Sequence, residues 1–200
     1  MDREELRALQ YIAHLQDLQS ILELDLWCRS RVTGSDLAPN EVADAAVVSR
    51  RQPKTVGLTN RRLTDYVPLY FNARNAMLWS RKEVWAQLVV LDIAPNVVDL
   101  PGTRVTLRNA AAGSKSEDYP VAEGLARIQE GAVYRDGWWD ANPEVMRSMK
   151  QALQAEVLVP RRVPCQPHHA RPRSKRRVSR RGLPQRGQPS CHRRRTAVFW

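Results

Sequence analysis

Cysteine is scarce. The 200-residue chain has three, Cys28, Cys165 and Cys191, too few and too scattered for a disulfide framework, so a reducing, cytoplasmic setting is expected. Long apolar runs are missing as well. The longest stretch, Ala86–Val98 (AQLVVLDIAPNVV), is too short for a membrane span and is interrupted by Asp92 and Pro95. The opening MDREELRALQ is charged and lacks the apolar segment of a secretory signal. Nowhere does the chain contain G-x-G-x-x-G, a Walker-type glycine loop, G-x-S-x-G or H-E-x-x-H. His168 and His169 near Cys165 fit no standard zinc spacing and read as solvated, so no metal is expected. What is present, 42% hydrophobic and 26% charged residues, excludes a collagenous, coiled-coil or wholly disordered chain. The length suits one domain with a real core.

The net charge of +11 suggests a nucleic-acid partner, but its distribution matters more than its size. Residues 161–200 hold 13 of the 32 Lys and Arg and no acid, leaving 19 basic against 21 acidic residues in 1–160. The segment expected to fold is therefore slightly acidic, and any nucleic-acid site in it must be a local patch. Five prolines, no acidic residue and no apolar period mark 161–200 as disordered. Two accounts of it stand: a basic arm binding DNA or RNA electrostatically, or a stretch read out of frame, as its sudden Arg/Pro/Ser/His/Gln mixture suggests. The expected division is a domain over 1–160 and a tail over 161–200.

Within the domain, Glu4–Asp25 has helical spacing through Leu6, Leu9, Ile12, Leu15, Leu18, Ile21 and Leu22. Alternatively, a short strand through Tyr11–Ala13 precedes a compact helix from Asp17, its N-cap, to Leu24. Residues 30–64 are loop-rich, with a possible helix over Pro39–Arg51. Tyr66–Phe71 is strand-like, and Pro68 predicts an edge or a bulge. Ala76–Trp79 and Gln87–Ile93 are further strand candidates, Leu125–Val133 and Pro143–Leu153 helices, and Ala155–Val159 a short strand.

Three features carry chemistry. LTDYVPLYFNARNAMLW (Leu63–Trp79) gathers Tyr66, Tyr70, Phe71 and Trp79 around Asn72, Arg74 and Asn75. It is either a core strand and turn or an aromatic wall with an arginine, suited to a nucleobase or cofactor ring. In QAEVLVP, Glu156 opens an apolar strand, where a carboxylate is costly unless it is paired, employed or turned outward. Arg50 and Arg51 end a possible helix before Pro53, either as a diphosphate clamp or as a solvated pair.

Taken together, these pieces resemble the DarT family of DNA ADP-ribosyltransferase toxins, from about residue 9 to about Val163. The resemblance rests on YIAHLQDLQSIL, the arginine pair in VVSRRQPKTV, LTDYVPLYFNARNAMLW, VTLRNAAAGS and AEVLVPRRVP, in that order. It implies an α+β chain with the ADP-ribosyltransferase fold, a central split mixed or antiparallel sheet with flanking helices clasping NAD. It also implies transfer of ADP-ribose from NAD onto guanine or thymine of single-stranded DNA. The wording of the long block is nearer the guanine branch. A catalytically decayed relative, or a protein binding nucleic acid through its basic tail, is the alternative.

The resemblance assigns Glu156 as the catalytic glutamate holding the ribose, and Arg51, with Arg50 as its register alternative, as the arginine that touches NAD. Because a free arginine is a poor base, with a pKa above about 12, Arg51 is expected to act electrostatically. Tyr11, Ile12, Ala13 and Ser20 are the other expected NAD contacts. The stretch 112–154 is the expected lid against DNA, with Arg74, Arg135, Trp138 and Trp139 as nucleic-acid contacts. A macrodomain antitoxin is the implied partner, and a monomer the expected state. The chain departs from the family pattern in three places. Tyr11 and Ala13 stand where a polar residue and Thr are usual, Leu107–Arg108 replaces an acidic–glycine pair, and the arginine-rich ending replaces a helix and an edge strand.

Overall fold

The computed structural model describes residues 1–112 and 117–165, together with two residues, 195 and 196. In chain order the elements are β1 (Leu9–His14), α1 (Leu18–Leu24), β2 (Leu26–Trp27), α2 (Arg29–Thr33), α3 (Ala45–Arg51), β3 (Thr55–Val56), β4 (Arg61–Arg62), β5 (Tyr66–Tyr70), α4 (Ala76–Trp79), β6 (Leu88–Ile93), β7 (Arg104–Thr106), β8 (Asp118–Pro120), α5 (Val121–Arg127), α6 (Glu130–Val133), α7 (Pro143–Ala152), β9 (Glu156–Pro160), β10 (Arg162–Val163) and β11 (Arg195–Thr196). One sheet runs β11-β6-β1-β5-β9-β7-β8, and every neighbouring pair is antiparallel. The pairs β2–β10 and β3–β4 form two small satellites. The α+β class implied by the resemblance is the class observed.

Strand β9 is covered on both faces, which is why EVLVP reads as a nearly continuous apolar run. Val157 and Val159 join Val67, Leu69 and Val105 in the main core, closed by Leu125, Ile128 and Val133 from the segment 121–133. Leu158 points the other way, into a smaller cluster with Val56, Leu63, Tyr66 and Ala110. Helix α5 lies close on β7 because residue 124 is glycine: a Cβ there would sit 2.5 Å from Val105 Cβ.

Proline 68 does not lie at an edge. Strand β5 sits between β1 and β9, with Pro68 opposite Leu158. The Glu156 N–H points towards β7, donating to Thr106 Oγ1. Alternation along the paired strands then turns the Pro68 nitrogen towards β1. There the missing donor does no harm, because β1 meets β5 at a single pair, Gln10↔Tyr70. The sheet is split at this seam, as the resemblance implied.

Several local expectations are corrected. The opening helix gives way to the alternative, strand then helix, but the strand is longer, spanning Leu9–His14. Asp17 does not cap α1 with its side chain; its carboxylate accepts from the backbone and side-chain amides of Asn40 instead. The helix expected over Pro39–Arg51 begins at Ala45, capped by Asp44. Ala76–Trp79 is a helical turn, not a strand, because Asn75 Oδ1 accepts from the Met77 and Leu78 amides. The helix over 125–133 is two short ones, α5 and α6.

Past Pro160 the chain remains packed. Arg162–Val163 pairs with β2, and Val163 and Cys165 belong to the main core. Arg195–Thr196 pairs with β6 in the register Arg195↔Leu91. The rest of the expected tail, including His168, His169 and Cys191, lies outside the described residues.

Candidate active site

Antiparallel register lines up one residue from each of six strands. Asp118 faces Thr106, Thr106 faces Glu156, Glu156 faces Tyr70, Tyr70 faces Gln10 and Gln10 faces Asp92. Directly opposed residues share a sheet face, so a single polar row crosses the sheet from β8 to β6. Gln10 Nε2 donates to Asp92 Oδ1 at 3.0 Å, and Gln10 Oε1 accepts from the Ala73 amide at 2.7 Å. Thr106 is the fixing point beside Glu156: its hydroxyl accepts from the Glu156 amide at 3.2 Å and donates to the Arg108 carbonyl at 2.8 Å.

Glu156 has no exposed surface. Its carboxylate is held by Arg51, Nη1 to Oε1 at 3.2 Å and Nη2 to Oε2 at 2.9 Å. The arginine side chain retains 13% of its surface. Helix α3 delivers Arg51 inward from its last turn and leaves Arg50 exposed, so Arg51 is the member of the pair that meets Glu156. Burial alone would lower the Arg51 pKa, but the charge and hydrogen bonds of Glu156 outweigh it and hold the guanidinium above its ordinary value. Tyr70, opposite Glu156, is raised by burial first and then by the carboxylate's charge. Lys54 follows α3; burial, Arg50 and Arg51 lower its pKa, and Nζ donates to the Ala111 carbonyl. That contact ties VTLRNAAAGS to the arginine pair's loop.

The expected NAD contacts divide. Tyr11 is within electrostatic reach of Arg51, and its hydroxyl is pushed up to about 12, chiefly by burial and then by Glu41 and Asp17. Ile12 is buried and packs in one cluster with Tyr70, Ala73, Leu78 and Val90. Ala13 is buried too. The Ser20 hydroxyl is occupied within its own helix start, donating to the Asp17 carbonyl at 2.9 Å. Tyr11 and Ile12 are therefore brought to the Arg51–Glu156–Tyr70 group, whereas the Ser20 hydroxyl is bonded locally to the Asp17 carbonyl.

Of the expected nucleic-acid residues, Arg74, the Arg135 backbone and the Trp138 ring make contacts around the segment just past the end of β5. Asn72 Nδ2 donates to the Arg135 carbonyl at 2.9 Å, and Arg74 Nη1 reaches Asp136 at 2.8 Å. Trp138 meets Trp79 edge-on at 6.2 Å between ring centres, and Trp79 meets Trp85 at 6.0 Å. Trp139 is 83% exposed and Trp79 55%. This aromatic ledge with its arginines starts two residues beyond Tyr70. Trp85, Thr106 and the Gln10–Asp92 pair were not singled out from the sequence. Alternation from Glu156 and Tyr70 would have placed Thr106 and Gln10 only once strand pairing was known. Among the described residues, no group of three or more His, Cys, Asp or Glu is placed to hold a metal ion.

A family model described as "ssDNA thymidine ADP-ribosyltransferase, DarT" matches residues 10–167. The chain is similar to the DNA ADP-ribosyl transferase–DNA ADP-ribosyl glycohydrolase fusion protein of Thermosipho africanus, with 26% identity over 129 residues. That match covers 64% of this chain and 30% of the relative, so the chain spans less than a third of the curated relative's length. Among solved structures it is similar to Thermosipho africanus DarTG in complex with ADP-ribose, with a TM-score of 0.67 and 24% identity over 78% of this chain and 41% of that one. It is also similar to Thermus sp. 2.9 DarT in complex with ADP-ribosylated ssDNA, with a TM-score of 0.65 and 24% identity over 80% of this chain and 78% of that one. The same Thermus protein in complex with NAD+ gives 0.61 and 23%, with the same coverage. At these identities the structural likeness establishes the fold.

Proposed function

Because the chain belongs to the DarT family, whose model covers residues 10–167, we propose that it transfers ADP-ribose from NAD onto a base of single-stranded DNA, thymine or guanine, releasing nicotinamide. The observation that carries the proposal is the buried Glu156 carboxylate paired with Arg51 beside Tyr70. Breaking the bond between nicotinamide and ribose leaves positive charge on the sugar, and a fixed carboxylate opposes that charge without reorganising. Each Glu156 oxygen accepts one bond from Arg51 and has a second lone pair for a ribose hydroxyl, which reaches the buried carboxylate once the side chains covering it move aside. Arg51 remains protonated throughout, so its part is to orient Glu156 and to offset negative charge on the dinucleotide. Tyr11 and Ile12 border the sugar and nicotinamide, and the new glycosidic bond takes the place of the old one on the same ribose carbon, the proton displaced from the base nitrogen passing to solvent.

The ledge of Trp79, Trp138 and Trp139, with Arg74 and Arg135, suits stacking of unpaired bases beside guanidinium groups. We place the DNA strand there. A transferase of this kind endangers its host's own DNA, so its counterpart is a macrodomain antitoxin that removes the ADP-ribose. The Thermosipho africanus relative, by its description, joins a transferase and a glycohydrolase. A cytoplasmic monomer suits this reading, and among the described residues no helix is long and apolar enough to cross a membrane.

The test is to incubate the full chain with NAD and two oligonucleotides, one carrying thymine but no guanine, the other guanine but no thymine. Mass spectrometry should show one ADP-ribosyl group gained by one of them, with equimolar nicotinamide released. Folded protein that modifies neither would refute the assignment.

A further inference from the structure

Away from Glu156, at the opposite end of β9, the surface has a hollow of about 470 Å³ lined by Cys28, Ser30, Arg31, Arg61, Asp65 and Arg161. Three arginines and one aspartate line it, and none of the three arginines is ion-paired among the described residues. Their neighbours are: Arg29 pairs with Glu41 and Arg162 with Asp25. Like charges gathered without counter-ions are unfavourable unless an anion visits.

The hollow is also preformed. Arg161 holds a left-handed backbone, φ 66°, which a residue with a side chain seldom adopts. Two hydrogen bonds fix it: its amide donates to the Asp65 carbonyl, and its carbonyl accepts from the Cys28 amide, both at 2.8 Å. Arg31 is steadied over the Trp27 ring at 3.7 Å and Arg61 over the Tyr66 ring at 5.7 Å. Stacking of this kind leaves the guanidinium edges available for hydrogen bonding.

We propose that this hollow is an anion site for backbone phosphates of a single strand whose target base lies at Glu156. The proposal rests on the transferase reading given above. Arg161 is five residue steps beyond Glu156, just past the end of β9, about 16 Å at ~3.3 Å per step. The diphosphate of a dinucleotide is joined to the ribose that Glu156 would hold, which places it much nearer the carboxylate. A polynucleotide, with a phosphate at every step, reaches both places. The fork of each guanidinium suits phosphate oxygens.

The experiment measures binding of the full chain to single strands of about 12 and about 4 nucleotides across a salt series. The variant is Arg31→Gln/Arg61→Gln. Each phosphate contact on a single strand adds about 0.7 to the logarithmic salt slope. The variant should lose about 1.4 of that slope on the longer strand, equivalent to about 25-fold weaker binding at ~0.1 M salt. Binding of the shorter strand should change much less, and Arg31→Lys/Arg61→Lys should restore most of the slope, separating lost charge from lost fold. The basic C-terminal stretch is common to all variants and cancels. An unchanged slope on the longer strand would overturn the site, and so would weaker NAD binding with DNA binding intact, which would assign the hollow to the dinucleotide's phosphates. Failure of the parent chain to bind NAD, with the slope difference present, would count against the transferase and leave the phosphate site standing.

Discussion

Arg51 and Glu156, 105 positions apart in sequence, meet through two parallel hydrogen bonds of 2.9 and 3.2 Å, with the carboxylate wholly buried. A short helix brings one and the central run of the sheet brings the other. Neither is stable in that position alone, since a buried charge without its partner is strongly unfavourable.

Removing the arginine should therefore cost stability as well as activity. Arg51→Ala leaves the Glu156 carboxylate uncompensated and is expected to destabilise the fold by about 3–5 kcal/mol. Arg51→Lys keeps the charge but loses the two-pronged geometry and should cost less. Thermal or denaturant unfolding of the three proteins gives the ranking, and equal stability of parent and Arg51→Ala would contradict it.

The exposed ring and the packed ring should separate. Trp139→Ala is expected to weaken single-stranded DNA binding by about 1–3 kcal/mol, the usual contribution of one stacked base, with little change in stability. Trp138→Ala should weaken binding and also lose about 0.5–1.5 kcal/mol of stability, because its ring packs edge-on against Trp79. Binding isotherms read beside melting curves distinguish the two.

High pH should loosen the protein through the half-buried Tyr11. Tyr11 titrates near 12 in the folded chain against 10.0 for an ordinary tyrosine. The unfolded chain therefore loses that proton first, so the stabilisation is complete below pH 10 and disappears as pH rises through 12. Tyr11→Phe should flatten the fall in stability over that interval. A slope identical to the parent's would show that Tyr11 is not the group concerned.

Two glycines are predicted to be irreplaceable for different reasons. Gly124→Ala drives a methyl to 2.5 Å from Val105 Cβ and should cost about 1–3 kcal/mol by overpacking. Gly57→Ala imposes a side chain at φ +48° and places it 2.7 Å from Asp118 Oδ2, against the Arg104–Asp118 ion pair. Both should lower the melting temperature, and neither residue touches the Arg51–Glu156 pair.

Residue chemistry alone left Glu156 open between a paired, an employed and an outward-turned carboxylate, and Arg50–Arg51 between a diphosphate clamp and a solvated pair. The resemblance singled out Glu156 and Arg51, and the fold brings those two side chains together. Helix α7 was plain from Pro143 in its first turn, and the structure adds a cap from the Asn142 side chain. What escaped depended on tertiary pairing. Ala76–Trp79 is too short for its period to decide between helix and strand, and the Asn75 side chain settles it. Pro68 implied an edge because the split between β1 and β5, which accommodates its missing donor, belongs to the sheet as a whole. Asp17 had the right position to cap α1, yet its carboxylate holds Asn40 across a loop. Thr106 and Gln10 gain meaning only from the register that sets them in line with Glu156.

The most direct measurement is a paired one: a single-stranded oligonucleotide incubated with NAD and either the parent chain or Glu156→Gln, with product mass and nicotinamide release read together. The account predicts an ADP-ribosylated strand and matching nicotinamide from the parent, and neither from a Glu156→Gln protein that melts cooperatively and still binds the strand. Undiminished modification by Glu156→Gln would contradict it, since the charge facing the sugar would then not be the one that matters.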